Sequence, residues 1–292
     1  MLRLAVATER QTFERMRDPL GARGIDVAHL PAKERAIRLT DAPTREFDVG
    51  FVYPPRLMEG GVLDVLYDIP WVNGREAVLT SRNKAGVVAR LSRAGLPVPE
   101  TRMVSNPAAE SDVREAVAGL DFPVVVKPNS TTRGVGVAKA SDLDSLLGVV
   151  DYLNLAHDYR ATGDKSYLVQ EFLPDARDYR LMVVDGEVVG GVERRLSAAA
   201  VAEGRWKHNV HLGAEAVGVD VRPDHRELAV SVAETLDIPY LGVDLLESGE
   251  RTVVSETNAR PTIDDSEKYE AGFWDRLAAL VRKTADERDG RN

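Results

Sequence analysis

Short apolar runs alternate with amphipathic stretches along the first quarter of the chain, and each change of period marks an expected element. Residues 2–8 read as a buried strand and 9–23 as a polar helix, followed by short strands over 25–30, 36–40 and 47–53. Pro54-Pro55 stops the last of these. This order predicts a small α/β unit ending near Trp71. Asn73 is placed to cap a long helix over 74–93, with Ala77, Val78, Val87, Val88 and Leu91 as its apolar positions and Gly95 as its terminator. Pro97 and Pro99 then keep 96–101 extended.

Further along, the pattern predicts a helix over 108–118, a buried strand over 122–128, a helix over 143–159 and a strand over 167–174. A hairpin over 178–195 turns at Asp185-Gly186. Helices follow over 224–236 and 271–282, and the polar tail from Thr284 is expected to fray.

A second hairpin carries the candidate chemistry. Its first strand, 240–246, is apolar apart from Asp244, a carboxylate that is costly to bury without a partner. Its second brings Glu256 and Asn258, two residues apart, to one face. A three-residue loop at 248–250 would set Asp244 opposite Val254 on that same face. With a two-residue loop Asp244 would turn away unless a bulge intervened. Such an oxygen set suits magnesium better than zinc. The alternative is three polar residues on a half-solvated sheet.

Upstream, the 122–128 strand delivers Lys127 to a loop rich in hydroxyl and glycine residues, 129–136, which suits either a phosphate cover or a hairpin turn. Because Lys127 precedes the glycines and no helix follows them directly, this is not a Walker loop. Asp178 and Arg180 share one strand face, as do Glu193 and Arg195, either in cross-strand salt bridges or in a site.

Composition narrows the function classes. The chain has 292 residues, enough for two domains or one large one, and 43% hydrophobic against 29% charged residues is the balance of a soluble globular protein. It has no cysteine, so disulfides, thiolate metal sites and a cysteine nucleophile are excluded. A net charge of −9 argues against a nucleic-acid partner. With no signal-like N-terminus and no apolar run of membrane length, a cytoplasmic location away from membranes is expected.

The ordered set Lys84, Lys127, the glycine loop, Gln170-Glu171-Phe172-Leu173, Asp178-Tyr179-Arg180, Glu193-Arg194-Arg195, Asn209, Gly242-Val243-Asp244 and Glu256-Thr257-Asn258 resembles the ATP-grasp superfamily. Its RimK-type glutamate ligase branch is the most similar, from about Asn73 to Arg282. The resemblance implies an α/β (α+β) ATP-grasp fold. A small N-terminal α/β pre-grasp domain over 1–73 precedes a central and lid subdomain over 74–173 and a metal and substrate subdomain over 174–292, which together clasp ATP.

It also implies an ATP-dependent carboxylate–amine ligase that works through an acyl phosphate and adds glutamate or another amino acid to a small molecule or a protein terminus. Lys84 and Lys127 would then contact phosphates, with Lys207 and Asn209 reaching them as well. Glu171 and Leu173 would bind adenine through backbone groups, Phe172 would lie against the ring and Asp178 would sit at the nucleotide. Asp244, Glu256 and Asn258 would hold two magnesium ions, with manganese as a substitute, and Arg180 and Arg195 would meet the acyl phosphate and the substrate carboxylate. A homo-oligomer is expected.

Two segments depart from the branch pattern: Lys207-His208-Asn209 in place of an Arg-Ser-Asn run, and Ala259-Arg260-Pro261-Thr262-Ile263-Asp264-Asp265 in place of a small-Pro-Gly turn. The second touches the acceptor pocket. His208 and His211 read as solvated or core histidines rather than bases or ligands. Alternatives are a dipeptide or D-alanine-type ligase, a carboxylate kinase that stops at the acyl phosphate, and a non-catalytic ATP-binding regulator.

Overall fold

The computed structural model describes residues 1–40, 46–131, 134–156, 164–208, 210, 213–265 and 268–289. Three sheets organise them into an α+β architecture. In the first, β1 (Leu2–Val6) runs parallel to β2 (Ile25–His29) and β3 (Val49–Phe51) in the order β2-β1-β3. Leu4 stands beside both Val27 and Val49, so three apolar side chains meet across the sheet. Helices α1 (Arg10–Gly21) and α2 (Leu57–Tyr67) complete this unit.

Helices α3 (Arg75–Arg82) and α4 (Lys84–Arg93) lead to the second, antiparallel sheet. It joins β4 (Thr101–Ser105), β7 (Ser166–Glu171), β5 (Val124–Pro128) and β6 (Ala138–Ala140) in that order, with α5 (Glu110–Ala116) and α6 (Leu143–Ala156) packed on it. The third sheet has the order β10-β9-β8-β11-β12, built from β8 (Arg177–Val184), β9 (Glu187–Arg195), β10 (Glu215–Gly218), β11 (Tyr240–Ser248) and β12 (Arg251–Asn258). Short α7 (Ala198–Ala202) follows β9, α8 (Pro223–Leu236) precedes β11 and α9 (Phe273–Asp289) ends the fold.

Period-2 alternation divides the work of this sheet between its faces. Tyr179, Leu181, Val183, Leu241, Val243 and Leu245 point one way, into a core shared with α4 and α8. Met182, Val184 and Tyr240 point the other way, into a core shared with the first sheet and α9. Toward the far end of the same two strands, this second face changes from apolar to charged and presents Asp178, Arg180 and Asp244. The site therefore begins where the N-terminal unit stops covering the sheet.

Several expectations need correction. Residues 36–40 form no strand, and α2 forms although Gly60 and Gly61 lower its helix propensity. Gly60 is needed there: a Cβ on it would lie 2.6 Å from the Tyr53 ring. The helix expected over 74–93 breaks at Asn83, whose side chain accepts from Gly86 N at 3.0 Å and caps α4. Asn73 caps nothing. It is buried, and its Nδ2 donates to the carbonyls of Tyr240 (2.5 Å) and Ala259 (2.6 Å), fastening the N-terminal unit to the second hairpin. The chain does not fray at Thr284, which is buried within α9. Among the described residues no helix is long and apolar enough to cross a membrane.

Candidate active site

A cleft of about 1200 Å³ opens between the second and third sheets, with β5 and β7 on one side, β8, β9, β11 and β12 on the other and α1 at one end. Its centre is set by a bulge. The β11–β12 connection is a two-residue turn, since Ser248 pairs with Arg251, and by itself this would leave Asp244 opposite Ser255. The register shifts between Asp244 and Leu245, so that Leu245 pairs with Val254 while Asp244 pairs with Glu256. Ser255 is the extra residue, and Asp244, Glu256 and Asn258 thereby share one face. Of the two connections open from sequence, the two-residue turn with a bulge is the one present. The displaced Ser255 carbonyl accepts from Lys127 Nζ at 3.5 Å.

Asp244 is almost wholly buried, and Arg180 binds it with both prongs of the guanidinium, at 2.6 and 2.7 Å. Arg194 reaches it at 3.0 Å and also donates from Nε to Asp178 at 2.9 Å. Burial alone would raise the Asp244 pKa, but the two guanidiniums outweigh it and hold the carboxyl down at about 2. Asp178 lies in the same network, where burial prevails and pushes its carboxyl up to about 7 against the pull of Arg194. His208 Nδ1 stands 3.8 Å from Asp178, and burial lowers its pKa, with Arg194 adding to the effect. His208 is thus half-buried beside the network.

Glu256 is more open. Lys84 Nζ lies 3.3 Å from its carboxylate and also donates to the carbonyls of Asn129 (3.5 Å) and Thr131. Asn129 Oδ1 in turn accepts from Ala85 N at 2.8 Å, so the residue that leaves β5 caps the helix that carries Lys84. The two lysines are consequently close, and burial holds Lys127 down at about 8. Two carboxylates and the Asn258 amide on one face make a donor set of hard oxygens, which fits magnesium, with Arg180 and Lys84 now holding the carboxylates a cation would take. Among the described residues no three His, Cys, Asp or Glu side chains form a group that could hold a metal ion.

At the far end of the cleft, Phe172 meets Trp206 edge to face at 5.8 Å, and Lys139 Nζ lies over the Phe172 ring at 4.8 Å. Glu171 turns its side chain away to Arg251 (2.8 Å), and its N–H donates to Glu100 O at 2.9 Å. Leu173 lines the cleft beside them. Lys207 donates to Val137 O, across the cleft at the end of the glycine loop, and burial lowers its pKa. Asn209 and His211 lie outside the described residues, as do residues 132 and 133 of that loop.

One assignment is corrected and one residue added. Arg195 faces away from Asp244: it pairs with Glu193, is half exposed and does not line the cleft. Arg194, not Arg195, lies beside Asp244 and Asp178. The β8–β9 turn by itself would set Asp178 opposite Glu193, but the ladder shifts between Met182 and Val183 and sets Asp178 opposite Arg194. The signal was a glycine pair in mid-strand, Gly190-Gly191. A Cβ on Gly190 would lie 2.4 Å from Lys268 O, so only glycine lets the bulged strand pass that loop.

The RimK-like ATP-grasp domain model matches residues 81–273. The ribosomal protein bS6–L-glutamate ligase of Escherichia coli is 32% identical over 199 residues, which cover 68% of this chain and 62% of that enzyme. The chain thus aligns with under two thirds of that relative's length. An ATP-grasp RimK domain protein from Sphaerobacter thermophilus superposes with a TM-score of 0.69 at 22% identity, covering 97% of this chain and 98% of that one. The D-alanine–D-alanine ligase of Bacillus anthracis gives 0.70 at 14% identity, covering 100% of both.

Proposed function

Because this chain belongs to the RimK-like ATP-grasp family, we propose that it is an ATP-dependent carboxylate–amine ligase, with ATP lying between the 74–173 and 174–292 subdomains. The observation that carries this reading is the pairing of Asp244 with Glu256 across one ladder, ringed by Lys84, Lys127, Arg180 and Arg194.

Phosphoryl transfer to a carboxylate brings two anions together, so the site has to concentrate positive charge. Lys84 and Lys127 hold phosphate oxygens, and Arg180 and Arg194 hold the carboxylate and the acyl phosphate made from it. Asp244, Glu256 and Asn258 would hold magnesium, which would supply charge to screen the phosphates and polarise the transferred group. An amine then displaces phosphate to give an amide. Phe172, Leu173 and the Glu171 carbonyl receive adenine. Asp178 fixes Arg194, and Lys207 closes the glycine loop over the phosphates.

The likeness to a ribosomal protein bS6–L-glutamate ligase of E. coli supports glutamate as the amine and a protein as the acceptor. The likeness to D-alanine–D-alanine ligase supports a second reading, condensation of two small amino acids. ADP release measured with and without candidate amines tests the class. Release that needs both a carboxylate and an amine supports a ligase, release without amine indicates a carboxylate kinase, and none at all indicates a binding protein.

A further inference from the structure

The end of the cleft away from the metal face holds a lysine with an unusual set of neighbours. Val125 and Lys127, two residues apart on β5, both line the cleft, and Lys139 on β6 stands beside Val125. Lys127 reaches toward the second hairpin, within the fields of Glu256 and Asp244. Lys139 lies one step further out along the same face, with its Nζ 4.8 Å from the centre of the Phe172 ring and 5.7 Å from that of Trp206. Among the described residues this ammonium has two aromatic rings for partners and no carboxylate.

The two rings come from opposite walls. Phe172 follows β7 of the second sheet, whereas Trp206 follows α7 on the side of the third. They meet across the cleft with their planes at 80°, and Lys207, the next residue, spans the same gap to Val137 O. Val125, Leu173 and Leu246 line the space beside them. Rings and aliphatic side chains suit the flat face of a nucleobase, and an unmatched ammonium suits the acceptors on its edge. A cationic amine substrate would be repelled here.

We infer that Lys139 and Trp206 complete the base site and make it selective for purines. The inference deepens the ligase reading and rests on its nucleotide half. In that reading backbone groups of residues 171 and 173 take the amino edge of adenine, which leaves the ring nitrogens N7 and N3 as acceptors. A base that enters against Phe172 turns the Lys139 ammonium from the ring face to one of these nitrogens, while Trp206 covers the base from the third-sheet side. Pyrimidines carry no ring nitrogen at these places.

Calorimetric titration in magnesium with ADP, 7-deaza-ADP and 3-deaza-ADP tests this, the diphosphates being chosen because they are not turned over. One of the two deaza compounds is expected to bind about tenfold or more weakly than ADP, since it lacks the acceptor of a charge-assisted hydrogen bond. Lys139→Met keeps an unbranched apolar side chain and should bind all three alike, at the level of the weaker compound. Trp71 and Trp274 pack against Tyr53 and Phe273 and do not line the cleft, so ADP should change the tryptophan emission of the native protein but not that of Trp206→Phe. Equal binding of all three nucleotides by the native protein, discrimination that survives in Lys139→Met, or an emission change that is absent from the native protein or survives in Trp206→Phe overturns the base site and leaves nucleotide binding standing. Binding of none of the three by the native protein overturns the nucleotide reading and the base site with it.

Discussion

Asp244 and Glu256 face each other across the β11–β12 ladder only because Ser255 is an extra residue in β12. The two carboxylates nevertheless differ in kind. Asp244 is buried under two guanidiniums, while Glu256 is partly exposed beside one ammonium.

Substitution should separate them. Asp244→Asn strands Arg180 and Arg194 without their shared counter-charge, so it should cost about 3–5 kcal/mol of stability as well as turnover. Glu256→Gln should abolish ADP formation and change stability by about 1 kcal/mol or less. Denaturant unfolding beside an ADP assay checks both, and equal stability losses would contradict the division.

The two neighbouring arginines of β9 should behave oppositely. Arg194→Met should cut turnover by about 100-fold or more, because it removes a cation from the reacting face. Arg195→Ala breaks only a half-exposed pair with Glu193, so turnover should hold and stability should fall by about 1 kcal/mol or less. Steady-state kinetics of the two variants decides the matter.

The pH dependence of nucleotide binding should report Lys127. Its pKa is held down at about 8 by burial, so the ammonium is fully present below that value and is lost as pH rises through it. A bound phosphate favours the charged form. Affinity for ATP should therefore be flat from about pH 6 to 7 and fall by up to about tenfold per unit above 8. Lys127→Met should bind more weakly and lose that slope, and an unchanged slope in the variant would remove Lys127 from the phosphate contacts.

The spacing of Glu256 and Asn258 and the lone carboxylate of β11 made the candidate site on the second hairpin legible, because a strand's period of two is rigid wherever the ladder is regular. Bulges break that period, and both hairpins of the third sheet contain one. At Ser255 the bulge rescued the expected face, and the sequence offered it only as a condition. At the Met182–Val183 shift it exchanged Arg195 for Arg194, and only the Gly190-Gly191 pair hinted at it. Long-range anchors such as Asn73 to Tyr240 and Ala259, or Ser81 to Ala259, leave no local pattern.

The measurement closest to the central claim follows oxygen from carboxylate to phosphate. The protein is incubated with ATP, magnesium and amino acids, together with small carboxylic acids whose carboxylates carry heavy oxygen, and the released phosphate is examined by mass spectrometry. A ligase working through an acyl phosphate leaves one heavy oxygen in each phosphate it releases, alongside a condensation product, and does neither when Glu256 is replaced by Gln. ADP formed with unlabelled phosphate, or labelled phosphate undiminished in Glu256→Gln, would contradict the account.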